Sequence, residues 1–174
     1  MNETLQTIFQ RHSTRAFQKK QVADDVLEQI LKAGVAAPSA NNSQNWIFTA
    51  VQKPELLQRL CKAVQEIMQK DENYCFFYGA PTLVLVSFPK GYDLARQDCG
   101  AAMENMFLAA QSLGVSTCWI NQLLGQCEVP EIRAVLRACG IPDEHEVIAS
   151  AAIGYGETEG VPTSHEKSIY QIIA

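Results

Sequence analysis

Apolar residues recur at helical spacing from the start of the chain, with Leu5, Ile8 and Phe9 on one side of residues 3 to 11. The same spacing returns from Asp24 to Gly34, where Val26, Leu27, Ile30 and Leu31 share a face and a glycine closes the run. Two helices are predicted there. The segment APSANNSQNW, residues 37 to 46, has no apolar period, and its Pro, Ser and Asn content forbids regular structure and predicts an ordered loop. WIFTAV, residues 46 to 51, then reads as a strand, and residues 54 to 70 as a helix with Pro54 in its first turn and Leu57, Leu60, Cys61, Val64 and Met68 inward.

The pattern changes at TLVLVSF, residues 82 to 88, an unbroken apolar run between Pro81 and Pro89 that is too short for a helix. Such a run predicts a strand covered on both faces, in the middle of a sheet. Residues 98 to 114 return to helical spacing, with Asp98 at the N-cap position, Ala102, Met103, Met106, Phe107, Ala110 and Leu113 forming a broad apolar face, and Gly114 as the stop. A helix apolar over that much of its girth is buried on several sides. Strands follow at 115 to 120 and 146 to 156, separated by a helix at 129 to 140 that has Pro130 near its start and Gly140 past its end. The tail from 157 is polar until IYQIIA. With no repeat or linker, the pattern predicts one α+β domain over residues 1 to 174, with four core strands and five helices.

The chain's 174 residues suit one such core, and 47% hydrophobic with 19% charged residues is the balance of a globular protein rather than a disordered or fibrous one. A net charge of −5 argues against general nucleic-acid binding. No apolar run approaches the length of a membrane span, and residues 1 to 15 lack a signal peptide's core, so a cytoplasmic protein is expected. Six cysteines are scattered through apolar segments without zinc-type spacing, and are expected to be reduced and to pack as small hydrophobes.

Against the acidic whole, RHSTRAFQKK gathers four of the fourteen Lys and Arg residues in ten positions. Arg11, Ser13 and Arg15 alternate, so an extended backbone would project two guanidiniums and a hydroxyl to one side, a set suited to an oxyanion such as phosphate. A solvated basic turn would have the same sequence. In the 37 to 46 loop, Ser39, Asn42 and Gln44 offer donors and acceptors for a flat polar heterocycle or a polyol, or else for the loop itself. His12, His145 and His165 have no partners at metal-ligand spacing, and no metal site is expected. GxGxxG, P-loop, HExxH and GxSxG patterns are all missing, and no acid, base or nucleophile stands out as catalytic.

Taken in order, RHSTRAF at 11 to 17, APSANNSQNW at 37 to 46, GAP and its apolar strand at 79 to 88, DCGAAMENMFLAAQSLG at 98 to 114 and AIGYG at 152 to 156 resemble the FMN-dependent nitroreductase family. That resemblance implies an intertwined homodimer of the nitroreductase-like fold, a central mixed sheet flanked by helices, with an FMN site at each side of the interface. It implies that Arg11, His12, Ser13 and Arg15 hold the FMN phosphate and ribityl chain. Pro38, Ser39, Ala40 and Asn42, supported by Gln44, would reach the flavin from the other subunit. Asn121 and Gln122 would approach its N5 edge, and His165 with Lys167 would complete the phosphate site. Two positions depart from the family's pattern: Asn45 stands where a Pro usually precedes the Trp, and Glu166 adjoins Lys167.

The implied activity is transfer of reducing equivalents from NADH or NADPH to a nitroaromatic, a quinone or a related small acceptor by a ping-pong mechanism. The flavin carries the chemistry. A flavin-binding or flavin-delivery protein with little turnover, and a specialised FMN dehydrogenase of the same fold, are the competing readings. The chain is short for the family and compact between residues 51 and 80, with little room for helices that would cover the flavin.

Overall fold

The computed structural model describes residues 1–162, 164 and 170–173. Five helices and four strands follow one another as α1 (Glu3–Gln10), α2 (Asp24–Val35), β1 (Ile47–Val51), α3 (Pro54–Met68), β2 (Thr82–Pro89), α4 (Ala95–Ser112), β3 (Ser116–Ile120), α5 (Pro130–Ala138) and β4 (His145–Gly154). A single 3-10 turn, Ala40–Asn42, interrupts the loop before β1. Local chemistry sets several ends. The Asn2 side chain accepts the Leu5 N–H at 2.9 Å to cap α1, and Pro54 and Pro130 open α3 and α5 where no helical N–H is needed.

The strands lie in the order β1-β2-β4-β3, so β2 and β4 are central and β3 is an edge. Every pairing among the four is antiparallel, which corrects the mixed sheet implied by the resemblance. β2 and β3, linked through α4, do run the same way, but β4 is inserted between them and pairs antiparallel with each. Among the described residues, parallel pairing is confined to a bridge between Ser13 and Thr117.

Alternation along β2 divides the core. Leu83 and Leu85 face a cluster built on α3 and α5 with Phe76 and Phe77, while Val84, Val86 and Phe88 face α2 and α4. A register shift between Val86 and Ser87 leaves Ile148 unpaired, and Ile148 and Ala149 both turn to the α4 side. Helix α4 buries Cys99, Ala102, Met103, Met106, Phe107 and Ala110, as its wide apolar girth predicts.

Two helix ends differ from the sequence reading. Gly34 does not terminate α2 but lies inside it, where an added Cβ would come within 2.8 Å of Met106 Cγ and 3.1 Å of the Phe48 ring. Its role is close approach of α2 to α4. Asp98 does not cap α4, which starts three residues earlier at Ala95, and its carboxylate is used elsewhere. Among the described residues no helix is long and apolar enough to cross a membrane.

Candidate functional site

Helix α1 stops at Arg11, whose N–H still reaches the Thr7 carbonyl at 3.0 Å while its backbone turns extended. The chain then runs as a ribbon beside edge strand β3. Ser13 pairs in parallel with Thr117, and Thr14 N–H donates to the Thr117 carbonyl at 2.9 Å. Further along, Phe17 pairs with Gly156, Gln18 N–H donates to the Tyr155 carbonyl at 2.8 Å, and Glu157 N–H to that of Ala16 at 3.1 Å. The buried Phe17 ring pins this end. It packs beside Gly154, where an added Cβ would lie 3.1 Å from Phe17 Cδ1 and 2.8 Å from Pro81 Cδ, so the close approach depends on glycine.

An extended backbone puts Arg11, Ser13 and Arg15 at alternating positions, which is the spacing that shares a side. The thiol of Cys118 on β3 registers all three. Burial pushes it up, while the Arg15 charge, a hydrogen bond with Ser13 and the Arg11 charge pull it back. Among the described residues little neutralises these cations. Arg11 Nε stands 3.6 Å from Glu104 Oε1 across a partly exposed pair, too loose to contribute much, and Arg15 forms no ion pair among the described residues. His12 has a different setting. Its Nδ1 lies 3.0 Å from the Gln10 carbonyl, its ring rests against Gly160, and it lines a cavity of about 420 Å³ with Ser116, Tyr155 and residues 156 to 160.

The second unit is the loop before β1. Asn41, Asn42 and Gln44 all adopt positive φ, near +50°, a cluster of left-handed non-glycine backbone that its surroundings must enforce. Part of the enforcement is internal. Gln44 N–H donates to Ser39 Oγ at 3.1 Å, and Gln44 Nε2 donates to Asn42 Oδ1 at 2.8 Å, so the loop satisfies part of its own polar capacity. The rest comes from α4. Asp98, only 5% exposed, accepts the Ala40 N–H at 2.9 Å and the Tyr92 hydroxyl at 2.8 Å, and Tyr92 Oη lies 3.0 Å from Ser43 Oγ. Pro38, Asn42 and Gln44 remain exposed, and Ser39 and Ala40 half-exposed.

Sequence reasoning missed Asp98 and Tyr92 as loop anchors. The signal available was a carboxylate in an otherwise apolar helix face.

Beyond β3, the Asn121 side chain accepts the Trp119 indole N–H at 2.6 Å, and Gln122 Oε1 accepts the Asn121 N–H at 3.1 Å. His165 and Lys167 lie outside the described residues. The structure therefore brings Arg11, Ser13 and Arg15 together, and Ser39, Ala40, Asn42 and Gln44 together. Among the described residues no hydrogen bond or ion pair joins the two groups. Nearby, α1 buries none of its residues, and Leu5, Ile8 and Phe9 are 44%, 42% and 58% exposed, with Trp119 of β3 at 38%.

An antiparallel sheet between helix pairs, with a cationic ribbon along its edge strand, is a fold of the nitroreductase type. The Nitroreductase family model matches residues 8–155, and the chain belongs to that family. Over the full length of both chains it is similar to a nitroreductase with bound FMN from Bacteroides fragilis, at 40% identity and a TM-score of 0.91. It is also similar to a nitroreductase with bound FMN from Desulfitobacterium hafniense, at 27% identity, full coverage of both chains and a TM-score of 0.90. A protein of Archaeoglobus fulgidus, provisionally named an NADH dehydrogenase/NAD(P)H nitroreductase, is 32% identical over 169 residues, 91% of this chain and 88% of the relative.

Proposed function

We propose that this protein is an FMN-dependent oxidoreductase that takes reducing equivalents from NADH or NADPH and passes them to a small acceptor such as a nitroaromatic or a quinone. Donor and acceptor use the same place in turn. The observation that carries this reading is the grouping of two arginines and a hydroxyl around Cys118 on a ribbon pinned to β3, with little neutralisation among the described residues. That donor set fits the dianionic phosphate of FMN, since each charge-assisted hydrogen bond contributes about 1.5–3 kcal/mol and the cations offset its charge. FMN when bound supplies the two-electron chemistry, which accounts for a site with no protein acid or base of its own.

The chain's own residues bind and orient. Arg11, Ser13 and Arg15, with His12 beside them, hold the phosphate and the ribityl chain, and His165 with Lys167 complete the set. Asn121 and Gln122, at the end of β3, border the ring edge. The loop carrying Pro38, Ser39, Ala40, Asn42 and Gln44 comes from a second copy. Support for the second copy is the unpartnered face of Leu5, Ile8 and Phe9, an apolar helix side that a homodimer would cover.

Flavin extraction followed by stopped-flow mixing with NADH and with NADPH tests the reading. FMN that is rapidly reduced by either nucleotide and reoxidised by a quinone or nitroaromatic is the expected result. Reduction only by dithionite would instead identify a flavin carrier, and recovery of FAD, or no binding of FMN, would overturn the cofactor assignment.

A further inference from the structure

On the α3 side of the sheet lies a cavity of about 670 Å³, walled by Leu57, Phe77, Ala80 and Pro81, into which two free cysteines, Cys61 and Cys75, both open. Cys61 stands on α3, and Cys75 begins the turn that leads toward β2. Neither is buried outright. The turn is unusual in having two successive left-handed residues, Tyr78 with φ +57° and Gly79 with φ +69°. A tyrosine adopts that conformation only when its surroundings require it. Here the consequence is that the Gly79 N–H points back at Cys75 Sγ, 3.2 Å away.

The two thiols face the same cavity in unequal surroundings: the Cys75 sulfur accepts the Gly79 N–H, whereas the Cys61 thiol donates to the Tyr74 carbonyl at 3.5 Å. The neighbouring Cys61 thiol draws Cys75 down, and Cys75 with burial pushes Cys61 up. Burial raises the thiols of Cys99, Cys118, Cys127 and Cys139. Cys75 is therefore the one cysteine whose surroundings favour the thiolate, and it faces a largely apolar space, bordered also by Lys19 and three glutamines, that is large enough for a small ring.

We propose that Cys75, held by the Gly79 N–H with Cys61 beside it in the same cavity, is a nucleophilic thiol that captures soft α,β-unsaturated carbonyl compounds seated there. The Cys75 thiolate forms a carbon–sulfur bond to the β-carbon as the carbon–carbon π bond breaks, and its electron pair moves to the α-carbon and carbonyl oxygen. The proton Cys75 had released to water returns to the α-carbon. The net change is addition of S–H across the double bond, with no oxidant or reductant. Cys61 is a positioning residue and is not consumed.

The test is alkylation of the native, flavin-loaded protein with limiting N-phenylmaleimide, followed by peptide mapping and by rate measurement between about pH 5 and 9, which spans the thiol range. The first adduct is expected on Cys75, with a half-maximal rate below the ordinary thiol value of about 8.5 and saturation as the reagent is raised. Cys61→Ala should move that midpoint toward the ordinary thiol value of about 8.5. Gln58→Trp, which adds bulk at an exposed position of the cavity wall, should slow the reaction about tenfold, a loss of about 1.4 kcal/mol, and leave the midpoint in place. A first adduct on Cys61 or Cys139, a Cys75 midpoint in the ordinary range, or a profile unmoved by Cys61→Ala overturns the proposal. Mapping of the unmutated protein alone suffices to decide the site.

Discussion

Asp98 and Ala40 are joined by a 2.9 Å hydrogen bond in which a buried carboxylate on α4 accepts a backbone N–H from a loop fifty-eight residues earlier in the chain. The other oxygen of Asp98 takes the Tyr92 hydroxyl, and Tyr92 in turn contacts Ser43. One carboxylate thereby holds the loop on either side of the 3-10 turn, directly at Ala40 and through Tyr92 at Ser43, next to the exposed Asn42 and Gln44. Its location in a helix rather than in the loop matters physically, because the helix is rigid and the loop backbone is held in an unfavourable region.

Asp98→Ala removes the acceptor from two donors and leaves the Ala40 N–H without its partner. Hydrogen bonds to charged groups contribute about 1.5–3 kcal/mol each, so the loss of two predicts a destabilisation of about 3–6 kcal/mol by chemical denaturation. Flavin content should fall as the loop relaxes. Asp98→Asn keeps one acceptor oxygen and should show the smaller loss of both. A melting curve and flavin content unchanged in Asp98→Ala would mean the loop is held by its internal bonds alone.

Gly154→Ala places a methyl group between the Pro81 and Phe17 rings, neither of which can rotate away as a long side chain would. Overpacking of this kind costs about 1–3 kcal/mol. The effect should extend beyond stability, since Phe17 anchors the end of the ribbon that carries Arg15. Equilibrium unfolding and FMN titration should both register it. Normal FMN affinity in a destabilised variant would show that the ribbon is held by the Ser13–Thr117 bridge without help from Phe17.

How much of this was legible in the residues can be judged from particular elements. Apolar spacing located every helix and strand, because burial of β2 on both faces and of α4 over most of its girth writes itself into the sequence as unbroken or wide apolar runs. Asp98 and Gly34 were misread because a cap and a stop are defined by neighbours in sequence, whereas these two residues answer to partners distant in the chain: Ala40 and Tyr92 for one, Met106 and Phe48 for the other. The alternation of Arg11, Ser13 and Arg15 was readable from spacing, which left a solvated basic turn as the alternative. The thiol pair was not, since Cys61 and Cys75 fall in different elements and only the turn through Tyr78 and Gly79 brings them to one cavity.

Acid sensitivity has an identifiable contributor in Glu128. Hydrogen bonds from Lys90 and then Arg133 hold its carboxyl below the usual value, and Arg133, itself 5% exposed, also donates to the carbonyls of Pro142 and His145. A carboxyl lowered by folding stabilises the native state above its unfolded pKa, about 4.3 for Glu, and that contribution is lost as pH falls through the lower folded value. Asp143, lowered by Arg137, acts in the same direction. The midpoint of thermal unfolding should therefore decline as pH drops below about 4.3. In Glu128→Gln that decline should be shallower, from a lower starting point at neutral pH. Parallel acid limbs in the two proteins would exclude Glu128 as a contributor.

The last prediction concerns whether the flavin site is built from two chains. Arg15→Glu places an anion against the phosphate position and should weaken FMN binding by tenfold or more, since the loss of one charge-assisted bond is about 1.5–3 kcal/mol before repulsion is added. Asn42→Trp puts bulk on an exposed loop residue whose backbone is left-handed, and should block the flavin from the other side. Each homodimer then has two defective sites. In a heterodimer of the two variants, a shared site receives its ribbon from one chain and its loop from the other, so one site carries both defects and the other carries neither. Co-expression under separate tags, isolation of the mixed species and flavin measurement should recover about half the unmutated content, by the isologous two-fold symmetry of such a dimer. A site contained in one chain would give every protomer one defect and a colourless heterodimer. The shared arrangement also requires a dimer, so a monomer by light scattering would reject it before any flavin is counted. Leu5→Glu, which charges the exposed face of α1, should dissociate the dimer and lower flavin content together.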